Sequence, residues 1–120
     1  MTRRVMQIMF GQAFLHDHSR ARLRDRLRSE VSSLDKSIVK SVDGVIHRKG
    51  VENELKNIAC PTLIMVGDEN IATLPEKSEY MYQHISNSKL IRIANAGHTS
   101  SLGNPEAVNK FIDQFLKDLI

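Results

Sequence analysis

An α/β fold is predicted by three observations: a composition suited to one globular domain, a change of hydrophobic period near the middle of the chain, and the order strand, helix, strand, helix after it. The chain has 120 residues, 41% hydrophobic, with 17 Lys and Arg against 14 Asp and Glu, one Cys and no Trp. Such a composition excludes a disordered chain, a disulfide scaffold and a bundle of membrane spans. Length sets a further limit. A chain of this size buries a real core but does not supply a many-stranded sheet with helices on both faces.

The first half reads as helices. Val5, Met6, Met9, Phe10, Ala13 and Phe14 recur at three- and four-residue spacing and give one helix a broad apolar face, with Gly11 a weak point in it. A break is expected at His16-Asp17-His18-Ser19. Leu23, Leu27, Val31, Leu34, Ile38, Val42 and Val45 then continue an apolar stripe, divided near Ser32-Ser33, where Ser32 and Asp35 form a possible capping box. The second half changes period. Thr62-Leu63-Ile64-Met65-Val66, between Pro61 and Gly67, predicts a short strand buried on both faces. Lys89-Leu90-Ile91-Arg92-Ile93 predicts a second strand, and Pro75 opens a helix between them carrying Met81, Tyr82 and Ile85. That order implies a parallel pair with a right-handed crossover. Asn104-Pro105-Glu106 starts the last helix with a cap residue, a proline at the first helical position and an acid in the first turn. Its stripe is Val108, Phe111, Ile112, Phe115 and Leu119.

Two regions follow, a basic helical one over 1–53 and an α/β one over 54–120. Residues 1–50 carry 11 Lys and Arg against 5 Asp and Glu, whereas residues 51–120 carry 6 against 9. The two halves therefore present different surfaces. A cytoplasmic location is expected, since a lone Cys gives no sign of secretion. The opening MTRRVMQIMFGQAFL only faintly imitates a signal peptide, because Gln7 and Gln12 interrupt it and no small-residue cleavage site follows. No run approaches the roughly 18 apolar residues of a membrane span, so no membrane partner is expected.

The most informative stretch is CPTLIMVGDEN, followed by SKLIRIANAGH and GNPEAVNKFIDQFL. Together these resemble the C-terminal part of the α/β-hydrolase superfamily, over about half the chain by motif. The resemblance implies that the strand ending in a G-x-x-D turn supplies a triad acid and the strand ending in A-G-H supplies the triad His. It places His98 at the His position, Asn70 at the acid position, and the first half in the place of a cap or lid. His98 would then be general base and acid, with a neighbouring acid to fix its tautomer and stabilise the imidazolium.

Two departures stand against a working enzyme. An amide at Asn70 supplies no negative charge, and loss of that charge in a serine triad costs on the order of 10⁴ in turnover. Asp68 or Glu69 substitutes only if the turn is rearranged; otherwise both read as solvated turn acids. The nucleophile is also missing, because no glycine of the chain begins a G-x-S-x-G elbow. Ser100 and Ser101 follow His98 but read as turn residues. By resemblance, the chain is the cap plus the last two strands of a hydrolase of the ester or lactone type, truncated and inactive alone, with a small acyl substrate only where a complete site exists. Self-association is expected, as a homodimer or higher oligomer, because two parallel strands leave unpaired edges. The competing class is a non-enzymatic dimerising or partner-binding module with a basic helical surface.

The remaining candidates carry less. Arg20, Arg24 and Arg28 share a helix face that reads as solvated, and without interleaved aromatics nucleic-acid binding is not expected. His16 and His18 read as a polar loop, not a metal site. Cys60 reads as a small buried hydrophobe. No phosphate-binding glycine loop occurs, and no metal or organic cofactor is expected.

Overall fold

The computed structural model describes residues 1–120. Its helical half contains α1 (Thr2–Met9), α2 (Gln12–His16), a 3₁₀ turn at His18–Arg20, α3 (Ala21–Ser32) and α4 (Ile38–His47). The single first helix expected from the apolar spacing is split at Phe10-Gly11. Glycine is a poor helix former, and this stretch lies against the backbone of the distant Gly97, an approach that an uninterrupted helix would not permit. The apolar spacing survives the break. Met6, Phe10 and Phe14 are buried in one cluster with Leu27, and Leu23 and Val31 pack against it. The Phe10 and Phe14 rings stack with centroids 4.7 Å apart, and α1 lies on α3.

Polar side chains set the breaks. Asp17 Oδ1 accepts from the Ser19 amide at 2.9 Å and from its hydroxyl at 2.6 Å, starting the 3₁₀ turn. The break after α3 falls where expected, but Ser32 does not cap the next helix. Its hydroxyl donates back to the Arg28 carbonyl at 2.8 Å, and Asp35 accepts from the Ser37 amide at 2.7 Å to begin α4. The apolar stripe reaches the core only as far as Val31. Leu34, Ile38, Val42 and Val45 are exposed, and α4 buries none of its residues.

A second 3₁₀ stretch (Glu52–Asn57) leads to β1 (Thr62–Gly67), α5 (Pro75–His84), β2 (Ser88–Ile93), α6 (Ser100–Gly103) and α7 (Pro105–Asp118). The strands pair in parallel, Thr62 opposite Ser88 through Gly67 opposite Ile93, with α5 as the crossover. Ile93, Ala96 and Val108 form a second core cluster, which Met65, Ile91 and Phe111 flank. Since Met65 faces α7, the alternation of a strand turns Ile64 and Val66 toward the opposite face. Both of those are buried, whereas Leu63 and Met65 are only half-buried, so β1 is less enclosed than its sequence suggests. Cys60 is exposed, contrary to the expectation of a buried thiol. It precedes Pro61 outside the paired strand, where no second layer reaches it.

The start of α7 is as expected. Asn104 Oδ1 accepts from the Ala107 amide at 3.2 Å while its Nδ2 donates to the Ala94 carbonyl at 3.0 Å, tying the helix start to the turn after β2. Only one side of the α7 stripe is covered, and Ile112 and Leu119 are exposed because two strands are too narrow a floor for the whole helix.

Asn104→Ala should cost about 1 kcal/mol, read as a lower urea midpoint, since it removes a helix cap. A second expectation concerns acid. Bonds from Ser19 hold the Asp17 carboxyl below its ordinary 3.8, bonds from Ser37 do the same for Asp35, and Lys89 followed by Gln114 for Asp118. Carboxyls depressed in the folded state stabilise it above their unfolded value and lose that contribution as pH falls through the folded one. Helical circular dichroism should therefore decline below about pH 4, and an unchanged signal down to pH 2 would contradict it.

Candidate functional site

The turns that end the two strands lie against each other. Asp68 N–H donates to the Ile93 carbonyl at 3.0 Å and Glu69 N–H to the Ala96 carbonyl at 2.9 Å. Gly67 makes this possible, because a Cβ there would collide with the carbonyl oxygens of Ala96 and Gly97. Asn95 turns the chain over the sheet end with φ of 56°, a left-handed conformation that Asn tolerates better than most residues. The positions expected to carry an acid and a histidine therefore sit at the same end of the sheet.

Their side chains are not joined. His98 is exposed and its ring makes no hydrogen bond. Asn70 is buried, and its Oδ1 accepts from the amides of Ala72 and Thr73, both at 3.1 Å, so it is committed to shaping its own turn. Asp68 is exposed. Glu69 is half-buried, and its carboxylate accepts from the Ala13 amide at 3.1 Å at the start of α2. Ser100 begins α6 and Ser101 is exposed; neither hydroxyl reaches the His98 ring.

The helical half grips this end of the sheet through contacts that the sequence did not disclose. Thr99 donates to the Met9 carbonyl through its amide (2.9 Å) and its hydroxyl (2.6 Å), satisfying an orphan acceptor at the end of α1. The Arg20 guanidinium donates to the carbonyls of Leu102 and Gly103 and lies over the Phe14 ring, 4.6 Å from its centroid. Arg24 donates to the Asp17 carbonyl at 2.9 Å. The arginine face is thus only partly solvated, because Arg20 and Arg24 close helix ends while Arg22, Arg26 and Arg28 are exposed. Their four-residue spacing was visible in the sequence; their carbonyl targets, up to 83 residues away, were not.

Two of the surface grooves lie near the helical half, and neither of these is lined by His98 or Asn70. One of about 550 Å³ lies between Phe14, Asp17, Arg20 and the start of α7. The other, about 940 Å³, lies between the Arg48–Leu55 segment and α5. No three His, Cys, Asp or Glu side chains converge to hold a metal, and His16 Nδ1 pairs with the Gln12 carbonyl at 2.9 Å.

A parallel strand pair with a crossover helix, two stacked turns at the C-terminal strand ends and helices over those turns matches part of the α/β-hydrolase fold. The chain superposes with a TM-score of 0.86 on an esterase from Thermogutta terrifontis at 23% identity, over 98% of this chain and 43% of that one. A candidate non-heme bromoperoxidase, BpoC, from Mycobacterium tuberculosis H37Rv gives 0.85 at 19% identity, over 99% and 44%. The α/β-hydrolase MGS-M2 from a Medee basin deep-sea metagenome gives 0.73 at 24% identity, over 94% and 42%. The chain spans less than half the length of each. It belongs to the Ndr family, whose model matches residues 1–119. No curated protein matches it in sequence.

Gly97 is the tightest junction between the helical half and the site. A Cβ there would lie 2.6 Å from the Phe10 carbonyl carbon and closer still to the Gly11 nitrogen. Gly97→Ala should destabilise by roughly 1–3 kcal/mol, as overpacking does. Hydrogen exchange at the Thr99 amide should speed up with it; unchanged protection would show that the two backbones are not in contact.

Proposed function

We propose that this chain contributes the histidine turn, the acid-position turn and the cap-like helices of an acyl hydrolase of the ester or lactone type, and that it performs no acyl transfer by itself. The observation that carries this reading is Asn70. An amide stands where a serine triad needs a carboxylate, and its oxygen is taken up by two backbone amides of its own turn. Glu69 is no replacement, because its carboxylate starts α2. The 120 residues contain no G-x-S-x-G, so no serine is set on a strained strand-to-helix turn beside His98. His98, without a partner to fix its tautomer, lacks the orientation that makes an imidazole an efficient general base. In a complete site the same ring would take the proton from a serine hydroxyl and return it to the leaving group.

Hydrolysis of p-nitrophenyl acetate by the wild-type chain and by His98→Ala should proceed at the same background rate. A serine-reactive fluorophosphonate should leave no covalent adduct. Turnover that disappears with His98, or an adduct on Ser100 or Ser101, would overturn the reading. Asn70→Asp should leave the rate at background as well, since restoring the acid does not supply a nucleophile.

A second reading, a non-enzymatic partner-binding module, is favoured by α4. Its apolar residues Ile38, Val39, Val42, Val45 and Ile46 are 42–69% exposed, and Lys36, Lys40, Arg48 and Lys49 surround them.

A further inference from the structure

The break between α1 and α2 parts two backbone groups that would otherwise bond to each other. In an unbroken α-helix the Ala13 amide would donate to the Met9 carbonyl, four residues back. Phe10 and Gly11 are extended instead, at φ −121°, ψ 141° and φ −69°, ψ 161°. Each half of the parted pair then takes a partner from the sheet end. The Met9 carbonyl accepts from the amide and the hydroxyl of Thr99, next to His98, at 2.9 and 2.6 Å. The Ala13 amide donates to the carboxylate of Glu69, next to Asn70, at 3.1 Å. One opened helical bond therefore holds both turns.

Three observations give this junction a second state. Met6, Met9, Phe10, Ala13 and Phe14 keep a helical spacing through the break, so an unbroken helix would carry one continuous apolar stripe. Joining the helix restores the bond from Ala13 to Met9 as the bonds to Glu69 and Thr99 are given up, and neither helix-end group is stranded. The Met6 and Ile93 clusters are separate, so the sheet end can part from the junction without opening either core. Gly11 sets the balance between the two. A Cβ there would collide with the Glu69 carboxylate in the broken state, and glycine is the weakest helix former after proline, which disfavours the joined one.

We infer that the α1–α2 junction is a two-state clasp on the sheet-end turns. Broken, it holds the His98 turn through Met9 and the Asn70 turn through Ala13. Joined, Ala13 bonds to Met9 within one continuous helix, and both turns come free of it. The backbone N–H and C=O of His98 make no hydrogen bond of their own, so Thr99 is the positioning residue through which the clasp holds that turn. The joined helix is the minor state, in exchange with the broken one. This behaviour belongs to the fold and holds whether or not the chain takes part in acyl transfer.

Two variants bias the clasp in opposite directions, and amide hydrogen exchange resolved by NMR reads the result. Gln12→Pro fits the broken state, because position 12 opens α2, where proline is favoured, and Gly11 before it is already extended. In a continuous helix the same proline would lie in the interior, which lowers the joined share roughly a hundredfold. Exchange at the Thr99 amide should then slow by more than about twofold. Gly11→Ala acts the other way. Helix propensity alone raises the joined share about fivefold, and the collision with Glu69 adds to it. Thr99 exchange should quicken by at least that factor, Ala13 should stay protected in its bond to Met9, and helical circular dichroism should not fall. Loss of protection at Thr99 and Ala13 together, with a weaker helical signal, would show simple fraying and overturn the proposal. So would Thr99 exchange that Gln12→Pro leaves unchanged. If Gly11→Ala fails to fold, the comparison of Gln12→Pro with the wild-type chain decides alone.

Discussion

The structure depends on one close backbone contact, where Gly97 in the turn after β2 meets Phe10 and Gly11 at the α1–α2 junction. Gly97 has no room for a side chain there, and the approach brings helix ends within reach of the sheet. From it follow the bonds from Thr99 to the Met9 carbonyl and from the Ala13 amide to Glu69. Arg20 adds the link to α6 from the other side. Most of these contacts satisfy backbone groups that helix termini leave unpaired, so the joint is directional. It is also thin in apolar terms, because the Met6 cluster and the Ile93 cluster are separate cores.

That division explains why so little of the chain is enclosed. Only 16 of 120 residues are buried, and the largest fully buried side chains are Phe14, Met6 and Ile93. Burial at the usual ~25 cal/mol per Å² must offset backbone ordering for every residue. Two clusters of this size leave a narrow margin. Segments that reach neither of them, α4 above all, are ordered by local bonds such as the Asp35 turn and not by packing.

The same economy governs the turns at the sheet end. Three polar side chains there are employed in shaping backbone: Asn70 in its own turn, Glu69 at α2 and Asn104 between α7 and Ala94. His98, like Asp68, is exposed and makes no side-chain hydrogen bond. Asn70, which the resemblance assigns to an acid position, serves here as a turn former, a role for which an amide suffices because an amide oxygen accepts backbone bonds without carrying charge.

The sequence by itself determined the elements whose signals are local. Strand and helix periods placed β1, α5, β2 and α7, and Asn104-Pro105-Glu106 announced its helix start, because capping and periodicity act within a few residues. Sequence motifs likewise put Asn70 and His98 at one end of a parallel pair. Tertiary structure alone decided what each of these residues touches. It broke the first helix at Gly11, exposed Cys60 and the stripe from Leu34 to Val45, and turned Arg20 and Arg24 from surface charges into helix-end donors. The physical reason is separation along the chain: Arg20 meets Gly103 across 83 residues and Thr99 meets Met9 across 90, and nothing in either local stretch encodes its partner.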